Sequence, residues 1–495
     1  MEPVGQSPPG SDATSQEVVE VIPPDGGAAP PPAPPASGPA APPASRLDWR
    51  AWARGVLEVG LRRTGAVASD LDVPHDRLVG RGQLYLRVRA APAPAFETVV
   101  GGLLAYQVRE RDPDTAETFD GFNGQATRTD FDATLYEAYL GFFSRRLDLR
   151  VGQQRLVWGR GDAFAPNDVQ NGRDTRDPIL GETDVLHLPT PMVRLDADVA
   201  IGTLQLVWQP WFRPDRFDTY GANWARVQPD TPPWQRQLLA AAFRVFDPTL
   251  EPLVQPLLGA SERPPADLTG SSGGARFGLA RSGVDVDVFY DYGYDRMPFL
   301  TVDPRVVSAP DPATLAVGLM AAGERPLRAR YLRRHHAGTA LQTTVRSLAL
   351  RAEVAYDSTV VLTRAADLTG VEHPAVQATA AVEYQTGELG KTVLLEGWYQ
   401  HLVGAAGGDP LLGVEPDSAA VALLGRWTFI DRLEVELRAA VGVAPRSYLL
   451  RPQIGWKFNA LAVYLGAVLL GGEEGSMAHY FRRNQSLYLL AKYSL

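Results

Sequence analysis

The sequence predicts an all-β chain, a transmembrane antiparallel β-barrel of about 18 strands, with about 16 as the next choice. Three observations lead there: stretches alternating strictly between apolar and polar residues, connections alternating between short and long, and no run of 18 apolar residues that would make a membrane helix.

The alternation is cleanest in residues 282–295. Even positions 284–294 are Val, Val, Val, Tyr, Tyr, Tyr, and the odd positions carry Asp285, Asp287, Phe289, Asp291, Gly293 and Asp295. Successive side chains of a strand point to opposite faces, so one face is apolar and the other mostly carboxylate. A helix would spread the aspartates around its circumference. The turn from valine to tyrosine suits a strand passing from hydrocarbon to interface, which places Val284, Val286 and Val288 against lipid.

The same rule recurs at 49–63, 78–90, 97–111, 131–143, 147–158, 192–200, 203–212, 273–281, 283–296 and 330–345. It continues at 347–357, 375–388, 392–403, 418–429, 432–443, 447–458, 461–471 and 486–495. In 432–443, Leu433, Val435, Leu437, Ala439 and Val441 oppose Arg432, Glu434, Glu436 and Arg438. Short turns such as Ser282-Gly283 and Asn459-Ala460 mostly alternate with long loops at 112–130, 159–191, 213–272, 297–329, 358–374, 404–417 and 472–485. That asymmetry is expected of short periplasmic turns and longer outer loops. An even strand number puts both termini on the periplasmic side.

Composition narrows the class further. The net charge of −9 argues against a nucleic-acid partner. The absence of cysteine excludes a disulfide scaffold, cysteine catalysis and cysteine-ligated metal, and suits an oxidising envelope compartment. No cofactor or metal is expected. Residues 1–45 are Pro/Ala/Gly-rich and read as a disordered segment ahead of a barrel over 46–495. Within them Gln16–Ile22 is a short valine-rich patch able to add as a strand to an inner-membrane efflux or periplasmic partner, or a chance run of apolar residues. Met1-Glu2-Pro3-Val4 has neither a basic n-region nor an apolar core, so a processed or trimmed chain, or a misplaced start, is expected.

The loop after Trp158 is long and polar, with Asp162, Asn167, Asp168, Asn171, Arg173, Asp174, Arg176 and Asp177. Loops beyond ~12–15 residues usually have a task or are disordered. One reading folds it into the barrel as a pore constriction or cap; the other leaves it on the surface, held by Asx-turns. It has no Asp-x-Asp-x-Asp-Gly calcium spacing, and Arg160-Gly161-Asp162 is read as chance. In the long insertion, Trp234–Phe246 has the spacing of an amphipathic helix ending before Asp247-Pro248. The polar strand faces predict a lumen lined by both signs of charge, including Arg150, Arg194, Asp196, Asp285, Asp287, Asp291, Arg351, Glu353, Glu434 and Glu436.

Several segments carry a family resemblance. They are Leu149–Asp162 with its Gly-Gln-Gln and Trp158-Gly, the following Ala-Phe-Ala-Pro-Asn167-Asp168, Gly172-Arg173-Asp174, Pro189-Thr-Pro-Met192 and Gln209-Pro-Trp-Phe212. Later pieces are Arg334-His-His-Ala-Gly338 and Leu350–Tyr356. Together they resemble a domain-of-unknown-function family of proteobacterial outer-membrane barrels, related to porin-like and alginate-export barrels and associated with efflux of lipid or hydrophobic compounds. The resemblance spans about residues 130–360 and extends more loosely to the C-terminus. It implies a transport barrel in the bacterial outer membrane, in contact with outer-membrane lipid and lipopolysaccharide and inserted by the barrel-assembly machinery. The final strand, with Leu487, Leu489, Ala491, Tyr493 and Leu495 on one face, is similar to the strand that machinery recognises.

Two other classes fit a barrel. One is a structural or adhesive barrel with a filled lumen. The other is a lipid-modifying enzyme drawing on His335, His336 or His401 with Ser347 or Ser358, although no Gly-x-Ser-x-Gly elbow is present.

Overall fold

The structure is a computed structural model. It describes residues 46–61, 76–111, 127–181, 183–217, 222–225, 263–364, 369–385, 391–405, 411, 414–430 and 432–494. The proline-rich segment with Gln16–Ile22, and the helix expected over Trp234–Phe246, lie outside the described residues.

Eighteen strands form one antiparallel sheet. The first nine are β1 Arg46–Gly60, β2 Asp76–Ala93, β3 Phe96–Arg111, β4 Thr127–Phe143, β5 Leu147–Gln154, β6 Thr190–Val199, β7 Gly202–Gln209, β8 Ser272–Arg281 and β9 Val284–Tyr294. The rest are β10 Arg333–Val345, β11 Leu348–Thr363, β12 Gly370–Gln385, β13 Lys391–Leu402, β14 Asp417–Phe429, β15 Leu433–Ala444, β16 Arg446–Phe458, β17 Leu461–Gly472 and β18 Ser486–Ser494. Each strand pairs with its neighbours in sequence, and β1 pairs with β18 from Trp52↔Ser494 to Gly60↔Ser486, which closes the barrel. Every strand predicted from the alternation has its counterpart.

Side-chain parity sets the two surfaces. On β9, Val288 and Tyr290 are exposed while Asp287, Phe289 and Asp291 are buried, so the carboxylate face points into the lumen. The outer surface carries a middle band of aliphatics such as Leu86, Val100, Leu140, Val354 and Leu395. Exposed aromatics flank it at both ends: Trp49, Phe96, Phe142, Trp456 and Phe458 at the short-turn end, and Tyr106, Phe131, Trp208, Tyr292, Tyr356 and Tyr399 at the long-loop end. An apolar belt between two aromatic girdles is the exterior of a membrane-spanning barrel. On β4 a bulge at Tyr136, opposite Gly101/Gly102, switches the inward parity from even to odd numbers, so Tyr136 and Glu137 both face inward.

The short turns follow local chemistry. Ser282 and Gly283 both have positive φ (53° and 80°), as a two-residue hairpin turn requires. The long connections lie at the other end, and the segment between β9 and β10 has structure of its own. Phe299–Val302 pairs with Leu327–Arg330, and helices Pro304–Val307 and Pro312–Ala321 pack through Val306, Ala316 and Leu319. The alternation rule reads that segment only as a loop. β5 also departs from expectation by ending at Gln154 rather than Trp158, because the chain there leaves the sheet and turns inward.

Candidate functional site: a loop seated in the lumen

Residues 155–189, between β5 and β6, cross the barrel interior. The neck of the loop is pinched by Asn171. Its Oδ1 accepts from the Leu156 amide (2.7 Å) and its Nδ2 donates to the Leu188 carbonyl (2.8 Å), joining the outgoing and returning limbs. Trp158 then turns into a buried apolar cluster with Leu156, Met192, Val207, Phe289 and Ala340. Its indole N–H donates to Gln205 (2.6 Å), and its ring lies 5.6 Å from that of Phe289. The one apolar side chain that interrupts the aspartate face of β9 is therefore the seat of Trp158.

Beyond Trp158 the loop runs along the wall made by β9 to β13. The Arg160 guanidinium donates from Nε to Asp287 (2.7 Å) and from Nη1 to Gln342 (2.7 Å). Glu353 of β11 accepts the backbone N–H of Arg160, that of Gly161 (2.6 Å) and the Asn167 side-chain amide (2.9 Å). Glu396 of β13 accepts three successive backbone N–H groups, from Asp162 (3.0 Å), Ala163 (2.9 Å) and Phe164 (3.0 Å). Rows of backbone N–H groups usually bind an external anion; here two inward-pointing carboxylates take that place. Phe164 stacks on Trp398 at 5.6 Å, and Asn167 Oδ1 faces His336 Nε2 at 3.2 Å, with Asp357 on the other ring nitrogen (3.0 Å). Gln170 donates to Asp291 (3.0 Å).

The returning limb meets the opposite wall. Asp177 pairs with Arg81 of β2 (2.7 Å), the Ile179 carbonyl accepts from Arg451 of β16 (2.9 Å), and the Leu180 carbonyl accepts from Arg54 of β1. Leu180 packs with Val56, Trp224, Val468, Leu470, Tyr488 and Leu490, and Val185 packs with Trp52 and Tyr136. The apolar wall of the lumen is thus covered by the chain itself.

Of the loop residues singled out from sequence, Asp162 pairs with Arg351, which also pairs with Glu383. Burial raises the Asp162 carboxyl above its ordinary range, with Arg351 opposing. Asp168 is buried between His187 Nε2 (2.5 Å) and Arg173 (3.2 Å). Burial pushes its carboxyl up, but His187 and Arg173 outweigh that and hold it below the usual range. Asn167 and Asn171 fasten the loop, and Asp174 pairs with Arg176 (2.6 Å).

Arg150, Arg194, Asp196, Asp285, Asp287, Asp291, Arg351, Glu353, Glu434 and Glu436 lie on the inward faces of their strands, mostly in local ion pairs. Asp287 is shared by Arg160 and Arg276, Arg194 meets Asp196 (2.7 Å), and Arg150 lies 3.4 Å from Glu97. Glu436 pairs with Arg438 (2.7 Å), and Glu434 with Lys457 (2.5 Å). Asp285 is 3.8 Å from Arg160 and keeps 42% of its side chain exposed, the most open of the predicted lumen carboxylates named in ion pairs. The structure therefore gathers Asp162, Asn167, Asp287, Asp291, Arg351 and Glu353 at one wall, and leaves Arg150, Arg194, Asp196, Glu434 and Glu436 on others. Sequence reasoning missed Glu396 and His336 as loop anchors. A lone acid on the inward face of β13, between Leu394 and Trp398, was the available sign.

A closed barrel with apolar exterior, charged interior and an inserted loop defines a transmembrane β-barrel with an inner loop. The chain belongs to the family described as a protein of unknown function, DUF1302, whose model matches residues 99–439. No curated protein matches it. Among solved structures, it is similar to the Salmonella typhi OmpF complex with daunomycin, at 10% identity and a TM-score of 0.41, covering 91% of this chain and 97% of that one. It is also similar to Acinetobacter baumannii OccAB1 (9% identity, TM-score 0.46, 91% and 96% covered) and OccAB3 (10%, 0.45, 91% and 99%).

Proposed function

We propose that the protein is a porin-like channel of the bacterial outer membrane, with residues 155–189 narrowing its lumen and small water-soluble solutes as its permeants. The observation that carries this reading is the fastening of the loop inside the barrel by Glu353 and Glu396. A loop held across a lumen obstructs by volume and by field, because charges in a constriction are less screened than those on an open surface. The choice of polar solutes follows from what the loop covers. Its Leu180 and Val185 occupy the apolar wall, while Asp285, Arg89 and Arg438 keep more than a third of their side chains exposed. The path left open is therefore lined by charge of both signs.

Planar-bilayer recordings test this. Deleting about residues 163–180 should raise single-channel conductance while the barrel stays folded. An intact barrel with unchanged conductance would mean that the loop does not lie in the permeation path, and a wild-type barrel that inserts without conducting would favour a structural role.

A further inference from the structure

The outer surface contains a groove that the channel reading does not use. In the sheet register Gly273 of β8 lies directly between Trp208 of β7 and Tyr292 of β9. All three point outward, so a glycine forms the floor of a slot walled by two aromatic rings. The turn Leu268–Gly270, capped by the Asp267 carboxylate on the Thr269 amide (2.8 Å), closes its upper end at the long-loop side. Leu268, the turn's rim residue, is 75% exposed. The groove is about 560 Å³, lined by Trp208, Leu268, Gly273, Tyr292 and Arg333 among others.

Arg333 gives the groove its charge. Its guanidinium lies 4.8 Å from the centre of the Tyr292 ring and 4.3 Å from that of Tyr294. Nη2 donates to the carbonyls of Thr269 and Ser271, which fixes the planar group at the mouth. Among the described residues Nε and Nη1 donate to nothing. A fixed guanidinium with N–H groups to spare, above an apolar slot in a lipid-facing surface, has the chemistry of a phosphate site with an acyl-chain groove beneath it.

We propose that this groove binds a phosphorylated, multiply acylated glycolipid of the outer leaflet, with one acyl chain over Gly273 between Trp208 and Tyr292 and a phosphate on Arg333. The inference rests on the reading that this exterior meets lipid and that the long-loop end faces outward. A β-carbon at position 273 would meet only the Val207 carbonyl, at an ordinary 3.4 Å, so a side chain there fills the slot without disturbing the sheet.

Native mass spectrometry of the full chain in detergent, titrated with bisphosphorylated lipid A, tests the site. A bound lipid should survive on the wild type. Gly273→Leu should remove it, and Arg333→Gln should weaken it by roughly tenfold or more, as loss of a charge-assisted hydrogen bond does. Dephosphorylated lipid A on the wild type should show a similar loss. Equal binding to Gly273→Leu, or equal binding of dephosphorylated lipid A or of phosphatidylglycerol, would overturn the proposal. Both variants should conduct as the wild type in bilayers, since neither residue faces the lumen. A wild type that inserts and conducts but holds no lipid A defeats this inference alone, whereas one that does not conduct defeats the channel reading.

Discussion

Asn167 and Gly338 share a space that admits only one side chain. A β-carbon on Gly338 of β10 would lie 1.8 Å from Asn167 Oδ1, so the wall is notched where the loop reaches it. Gly274 does the same for Trp158, whose ring would lie 2.6 Å from a β-carbon there. Gly338→Ala should therefore displace the loop tip at a cost of about 1–3 kcal/mol, the usual range for overpacking. The barrel should keep the wild-type circular-dichroism spectrum of a folded β-sheet, while bilayer recordings show higher or noisier conductance. Wild-type traces from this variant would mean that the tip is not held at Gly338.

The two faces of β9 should respond in different ways to arginine. Val288→Arg puts a charge against lipid near mid-strand and should cost about 2–4 kcal/mol of barrel stability. The alternation alone suggests that Asp287→Arg would be tolerated because the lumen is wet. The structure corrects this. Asp287 is buried and paired with Arg160 and Arg276, so an arginine would bring three guanidinium groups together and cost about 3–5 kcal/mol, the range for breaking a buried pair. Urea titration of the folding equilibrium in vesicles measures both.

Glu353 and Glu396 hold adjoining stretches of one loop. Each hydrogen bond to a charged acceptor contributes about 1.5–3 kcal/mol when its loss leaves a buried donor unpaired. Glu396→Ala strips the partner from three backbone amides and should expose the loop to added protease. The double variant with Glu353→Ala should do little more than either alone, because the two carboxylates secure a single element. Strictly additive cleavage rates would show two independent segments.

Acid should loosen the neck of the loop. The Asp168 carboxyl is lowered in the folded state, so the stabilisation it contributes is present above the ordinary carboxylate range and is lost as the pH falls through the lowered value. Protease protection of the loop should therefore fall at acid pH in the wild type, and Asp168→Asn should lose less protection over the same pH range while starting from a lower level. An identical acid profile in the variant would assign the effect to another group.

The barrel was legible in the sequence because its rule is local. Each strand meets lipid on one side, so residues two apart repeat the same choice, and eighteen stretches show it. The seating of the loop was not legible, because its anchors are remote in sequence: Glu396 lies 234 positions from Asp162, and Glu353 lies 186 from Asn167. Only partial signs survive. Phe289 breaks an aspartate face, and Leu156 and Trp158 carry the inward parity of β5 past its end, where a wet lumen gives an apolar residue no reason to point. An apolar residue on a polar face marks a place where something in the chain will lie, without saying what.

The pairing of β1 with β18 bears on how the molecule comes into being. Ser486 donates to Glu58 across 428 residues, so the seam joins the barrel's first strand to its last. While that seam is open, both margins of the sheet have unpaired N–H and C=O groups that any passing strand could capture. Closure therefore needs both seam strands in place, and loss of β18 would leave two open margins at once.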